Sequence, residues 1–307
     1  MLQIANPIYD AVFKFMMNDN EVAKLLLSAI IGESIQSLDF QPTEINPSLQ
    51  DSLTVLRMDF KAVMVTQNGA IKTAIIEIQK AKLHTDIMRF RRYLGAQYQD
   101  KNNSEVVKRV ESQKKGVWIE HRKAFPILSI YFLGHSLENI PDVPVIKVAR
   151  NYYDLATGEP LQAKEDFIES PTHDSYVIQI PYLKGNQRTE LEQLLQIFSQ
   201  EDAEESSVQQ TLTISESDIP VQYHPVLRRL LLAIADTKTR QLMDAEDDLI
   251  YELKQYARTI NEMKEEVNEM KEEVNEMKEE VNEMKAVVEE KDKLIEALMK
   301  QLEDQKK

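Results

Sequence analysis

The sequence predicts a domain of the α/β or α+β class, with helices flanking a mixed central sheet, that leads into a long C-terminal parallel coiled coil. Three observations support this. Val55–Thr66 and Ala70–Gln79 are rich in Val, Ile, Met and Phe and meet near Asn68 and Gly69, a strong hairpin signal. Phe125–Leu133 is a short continuous apolar run, the pattern of a central strand buried on both faces. From Leu249 onward, apolar residues recur in alternating steps of three and four.

The remaining elements follow in order. Pro7–Ile31 reads as helix, with Pro7 suited to a first turn and Val12, Phe13, Met16, Leu25, Leu26, Ala29 and Ile30 at helical spacing. Asn18, Asp19 and Asn20 mark a break into two helices, and Gly32 a stop. A polar connection with Pro42 and Pro47 leads to the hairpin, and a helix over about 83–98 follows it. Lys101–Lys115 is polar and reads as loop with some helical character. Further strands are expected at Val143–Tyr153 and Ser175–Leu183, and helices at Thr189–Ser199, capped by Thr189, and Val226–Asp236. Glu201–Ser217 is acidic and serine-rich and reads as a linker. The division is 1–200 for the sheet domain, 201–248 for a linker and helical extension, and 249–304 for the coiled coil.

The coiled coil rests on spacing. Asn-Glu-Met-Lys-Glu-Glu-Val occurs in three successive copies over Asn261–Val281, with Val267, Val274 and Val281 at a positions and Met263, Met270 and Met277 at d, and the d row continues at Met284. A strict seven-residue repeat implies a left-handed supercoil. Glu266, Glu273 and Glu280 occupy g, and Lys264, Lys271, Lys278 and Lys285 occupy e. In a parallel pair Glu273 meets Lys278 of the other copy, whereas antiparallel pairing opposes like charges. Each exposed pair contributes only about 0.2–1 kcal/mol, but all favour the parallel arrangement. Valine at a favours two strands; methionine at d specifies weakly and leaves a trimer as the alternative.

Composition narrows the function classes. The chain has 307 residues and no cysteine, which excludes disulfides, thiolate metal sites and thiol nucleophiles and fits a reducing, cytoplasmic setting. The N-terminus has no basic region of a signal peptide, and no apolar run would span a bilayer, so no membrane partner is expected. The net charge of −15 argues against indiscriminate nucleic-acid binding. Lys80–Lys123 nonetheless holds twelve basic and five acidic residues, a net +7. That stretch is either an ordinary solvated surface or a phosphate-facing patch. The five histidines are scattered without metal-ligand spacing.

The informative residues are Asp59, Glu77 and Gln79, polar groups on strands whose other residues want burial. A buried carboxylate is costly unless compensated, and one divalent cation compensates two. Glu77 and Gln79 share a face by strand alternation. A two-residue turn at Asn68 and Gly69 would put Asp59 opposite Ile78, on the wrong face. A shared site therefore requires an odd-length loop or a bulge, and either a three-residue turn with Gly69 left-handed or a nearby bulge is predicted.

Asp59, then Ile76-Glu77-Ile78-Gln79, preceded by Asp10-Ala11-Val12-Phe13-Lys14 and followed by Arg89 and Tyr93 and the apolar strand Pro126–Phe132, resembles the PD-(D/E)XK nuclease superfamily. Within it, the chain resembles the recombination-promoting nuclease, transposase-like (Rpn-like) group, over roughly Asn6–Leu183. The resemblance implies a restriction-endonuclease-like core and metal-dependent hydrolysis of DNA phosphodiester bonds. It implies Mg²⁺ or Mn²⁺ held by Asp59, Glu77 and the Ile78 carbonyl, with Asp10 as a further acid. Gln79 stands where the superfamily has lysine; Lys14 and Lys61 are the nearby cations. Lys14, Arg89, Arg92 and Tyr93 would contact phosphate. The substitution by Gln79 keeps a second reading open, a catalytically inactive nuclease fold whose coiled coil is an oligomerisation and interaction module.

Overall fold

The computed structural model describes residues 1–42, 58–79, 86–111, 118–185, 188–200 and 209–305; at some positions within these, Asp59, Glu77, Ile78, Gln79, Arg89 and Tyr93 among them, the description stops at the backbone. In chain order the elements are β1 (Leu2–Ala5), α1 (Asp10–Met17), α2 (Asn20–Ile31), β2 (Ile35–Pro42), β3 (Met58–Thr66), β4 (Ile71–Gln79), α3 (Asp86–Gln99), β5 (Ser104–Glu111), β6 (Trp118–Ala124) and β7 (Ile127–Leu133). They continue as β8 (Val145–Val148), β9 (Tyr152–Tyr153), β10 (Pro160–Leu161), α4 (Asp166–Glu169), β11 (His173–Gln179), α5 (Glu190–Leu195), β12 (Thr211–Ile214), α6 (His224–Ala235) and α7 (Thr237–Gln305). The chain divides into two compact units, Met1–Asp247 and Asp248–Lys307.

The first unit is built on a six-stranded mixed sheet of order β2-β3-β4-β7-β11-β8. β2, β3 and β4 form an antiparallel meander. β7 runs parallel to both its neighbours, β4 and β11. A parallel pair needs a crossover, which the chain supplies through α3 and the β5–β6 hairpin. β7 is the strand the apolar run predicts: six of its seven residues are buried.

The two faces of the sheet differ. Even-numbered positions, including Ala62, Met64, Ile76, Ile130, Phe132 and Ile178, are buried in one core with α1, α2 and α6. Phe13 of α1 packs edge-on against Phe132, at 6.1 Å between ring centres. On the odd-numbered face, Ile75 and Ile127 pack with Leu94 of α3 in a much smaller apolar cluster.

Local chemistry explains the helix boundaries. Asp19 breaks the first helical segment by capping α2, its Oδ1 accepting from the backbone N–H of Glu21 and Val22 at 3.1 and 3.3 Å. Gly32 stops α2 with φ +76°, a left-handed conformation that favours glycine. Thr189 caps α5 through the Glu192 N–H.

Three sequence expectations are corrected. Lys101–Lys115, expected as loop with some helical character, holds a 3₁₀ turn at Lys101–Asn103 and then strand β5 to Glu111, and residues 112–115 lie outside the described residues. The polar connection after Gly32 contains β2, the edge strand of the main sheet. The expected linker Glu201–Ser217 contains β12, which pairs with β1 across the chain, Leu2 opposite Ile214. Residues 201–208 lie outside the described residues.

The second unit is the continuation of α7. Val267, Met270, Val274, Met277, Val281 and Met284 line it with 43–60% of their surface exposed. No described helix is long and apolar enough to cross a membrane.

Candidate active site

The register of the β3–β4 hairpin decides whether Asp59 and Glu77 can act together. Gln67, Asn68 and Gly69 form a three-residue turn: the Thr66 N–H donates to the Ala70 carbonyl at 2.9 Å, and the Gly69 N–H to the Thr66 carbonyl at 2.8 Å. Gly69 has φ +79°, the left-handed geometry that three-residue hairpin turns require. Asn68 braces the turn, its Oδ1 accepting from the Ala70 N–H at 3.2 Å and from the Thr66 hydroxyl. The odd loop sets Val65 opposite Ile71 and, six residues on, Asp59 opposite Glu77. Directly opposed positions of an antiparallel pair hold their Cβ atoms about 5 Å apart on one face. Gln79 follows on the same face, and Ile78 is held in register with Met58 on one side and Phe132 on the other.

Position in the sheet adds to this. Glu77 and Gln79 lie at the carboxyl end of β4, alongside the carboxyl ends of β7 and β11, where Gln79, Leu133 and Gln179 are in register. The edge outside the carboxyl ends of parallel strands is where open sheets bind ligands. Gln179 itself is structural: its carboxamide accepts from the Leu137 N–H and donates to the Ile140 and Val143 carbonyls.

The odd face around the pair is polar. Lys61, two residues along β3 from Asp59, is 7% exposed and places Nζ 3.1 Å from Asp100 Oδ2. The Asn102 backbone N–H, and after it Lys61, hold the Asp100 carboxyl below its ordinary value. Thr73 donates to Asn103 Oδ1 at 3.3 Å, and the Ser129 hydroxyl donates to Ser175 at 2.7 Å. Tyr131 stands opposite Glu77 in the parallel register with β7. Sequence reasoning named Lys61 only as a nearby cation and passed over Asp100 and Tyr131. For Lys61 and Tyr131 the signal was parity, since with Asp59 and Ser129 they are the odd-numbered polar residues of β3 and β7, whereas Asp100 lies between elements and left no such pattern.

Other expected residues are distributed differently. Asp10 opens α1, on the side of the sheet that the even positions face, and pairs with Lys14 at 2.5 Å. Its backbone N–H and that of Ala11 donate to the buried Glu246 carboxylate at 3.2 and 3.1 Å, so Glu246 caps α1 from α7. The structure therefore does not bring Asp10 or Lys14 onto the face that carries positions 59 and 77. Arg89, Arg92 and Tyr93 all lie on α3, on the odd side, with Arg92 exposed.

The donor chemistry fits a hard divalent cation. Two carboxylate positions opposite each other, with a carboxamide two residues on, offer oxygen ligands of the kind Mg²⁺ and Mn²⁺ prefer. Among the described residues, no group of three or more His, Cys, Asp or Glu side chains could hold a metal; the side chains at 59 and 77 lie outside them. A cleft of about 380 Å³ lined by Asn68, Ile71, Lys123, Pro126 and Asp166 opens at the other end of β4, away from the pair. Searches of family models, curated proteins and solved structures find no match to this chain.

Proposed function

We propose that the Met1–Asp247 unit is a metal-dependent DNA endonuclease of the PD-(D/E)XK, Rpn-like kind, hydrolysing phosphodiester bonds with Mg²⁺ or Mn²⁺ held by Asp59 and Glu77. The observation that carries this reading is the direct opposition of positions 59 and 77 at the carboxyl edge of β4. A mixed sheet with helices on both faces supports it. The cation supplies phosphate polarisation, water activation and leaving-group stabilisation when bound. Asp59 and Glu77 bind and orient it, and Gln79 orients water. Lys61, on the same face, supplies the positive charge that Gln79 lacks. Arg89, Arg92 and Tyr93 on α3 hold the flanking phosphates.

The C-terminal helix joins two copies in parallel through Val267, Met270, Val274, Met277, Val281 and Met284. The support is the exposed apolar stripe along a single α7. Burying it in a second copy removes that surface from water. A dimer presents two sites to a duplex, one for each strand.

A second reading is favoured by Gln79 and by the same stripe: a catalytically inactive nuclease fold that serves as an oligomerisation and interaction module. Nicking of supercoiled plasmid with Mg²⁺ separates the two. The nuclease reading expects nicking by wild type and none by Asp59→Ala or Glu77→Ala. Equal nicking, or equal lack of it, in all three proteins sinks it.

A further inference from the structure

We infer that Lys291 and Asp292 form a register key, which makes a second copy of this chain, aligned residue for residue, the preferred partner of the C-terminal helix. The inference rests on the reading of α7 as a parallel two-stranded coil. Continuing the heptad beyond Val281 and Met284 places Val288 and Ile295 at a, Leu298 at d, Lys291 at the d position between Met284 and Leu298, and Asp292 at e. Lys291 is therefore a cation set in the apolar stripe, among Val288, Leu294, Ile295 and Leu298, which are all half-exposed or more.

The neighbouring positions of the helix do not answer that charge. Side chains three and four residues apart are neighbours on a helix surface. Around Lys291 these are Val287, Val288, Leu294 and Ile295, all apolar. Around Asp292 they are Val288, Glu289, Ile295 and Glu296, with no cation among them. The counter-charge of each is supplied by another copy. In a parallel pair a d side chain enters a hole bordered by the facing d and e residues. With the copies in register, Lys291 of each lies beside Asp292 of the other, twice by symmetry, and its long stem covers the apolar seam.

The coil needs such a key because Asn261–Val281 repeats one heptad three times. A slip of seven residues, about 10.5 Å at ~1.5 Å per residue, still sets Val against Val and Met against Met within the repeat. Glu273 then meets Lys285 of the other copy in place of Lys278. Beyond the repeat the slip is penalised. Both Lys291–Asp292 pairs break, Lys291 of one copy moves beside Lys285 of the other, and Glu280 meets Asp292. Like charges facing each other are the means by which coiled coils reject a wrong pairing.

The chain has no cysteine, so introduced thiols report the register directly. Full-length Val274→Cys protein is mixed with full-length Val281→Cys protein carrying a different tag, and the two are exchanged and equilibrated in a glutathione buffer. A disulfide needs Cα atoms within about 7 Å. In-register coils therefore give same-site disulfides, and only coils slipped by one heptad join the two different sites. Same-site products should dominate in the wild-type coil. Asp292→Lys in both proteins should raise the cross-site to same-site ratio about tenfold, because it repels Lys291 in register and attracts Glu280 in the slipped pair. Glu290→Lys, the same change of charge at c, should leave the ratio unchanged. If light scattering shows Asp292→Lys to be a single chain, Asp292→Asn carries the test, with a rise of about threefold expected. Cross-site product as abundant as same-site product in the wild-type coil, an unchanged ratio in the position-292 variant, or an equal rise with Glu290→Lys would overturn the key and leave the two-copy coil standing. Absence of same-site disulfides together with a single-chain mass would overturn the coil, and the key with it.

Discussion

The two faces of the central sheet are built from the same strands and do different work. The even face buries Met64, Ile76, Ile130 and Phe132 under three helices. The odd face covers a small apolar patch with α3 and carries Lys61, Thr73, Ser129 and Ser175 on the same strands, each with a hydrogen-bonding partner. Packing stabilises one face, while the other gives up packing to hold polar groups along the strands that carry positions 59 and 77. Sites that break the local rule of apolar strands are where function is expected.

The contrast predicts a graded set of stability effects, each measurable by urea denaturation. Phe132→Ala, which empties a fully packed even-face site between Phe13 and Phe198, should cost about 3–5 kcal/mol. Glu246→Ala removes the carboxylate that caps α1 beneath the same core and should cost about 1–2 kcal/mol. On the odd face, Lys61→Met should cost about 1 kcal/mol or less, because the Asp100 carboxylate it leaves behind is 30% exposed, stays hydrated and keeps the Asn102 N–H. A loss from Lys61→Met as large as that from Phe132→Ala would erase the distinction between the faces. The same Lys61→Met variant should nick plasmid more slowly than wild type if Lys61 serves the site.

The smallest effect is on pH. The Asp100 carboxyl is held below its ordinary value of 3.8 in the folded chain. The unfolded chain therefore binds the proton first, and this group's contribution to stability is complete above 3.8 and lost as pH falls through the lower folded value. Wild type and Asp100→Asn should accordingly converge in stability under acid and separate as pH rises. A gap that widens under acid would contradict the assignment.

The parts of this fold that were legible in the sequence are those in which local and long-range demands coincide. The β3–β4 register followed from requiring one face for Asp59 and Glu77, and Gly69 supplied the turn that such a register needs. Asp19, Gly32 and Thr189 marked helix ends because capping is local chemistry. β5 and β6 were hidden because both their faces meet water, so no apolar alternation betrays them. β1 and β12 pair across most of the first unit, and four residues each carry little periodicity. The Glu246 cap was invisible for the same reason: Tyr9, at the cap position of α1, provides no side-chain acceptor, and the carboxylate arrives from a helix far along the chain. Asp10 illustrates the limit of motif reading, since its order in the sequence suggested a ligand while its helix lies on the other face.

The central claim is that Asp59 and Glu77 share one divalent cation. Calorimetric titration of Mn²⁺ into the full-length protein tests it without reference to turnover. Wild type should show a binding event that Asp59→Ala and Glu77→Ala each abolish, with Asp10→Ala retaining it. Binding that is unchanged in both of the first two variants would contradict the account.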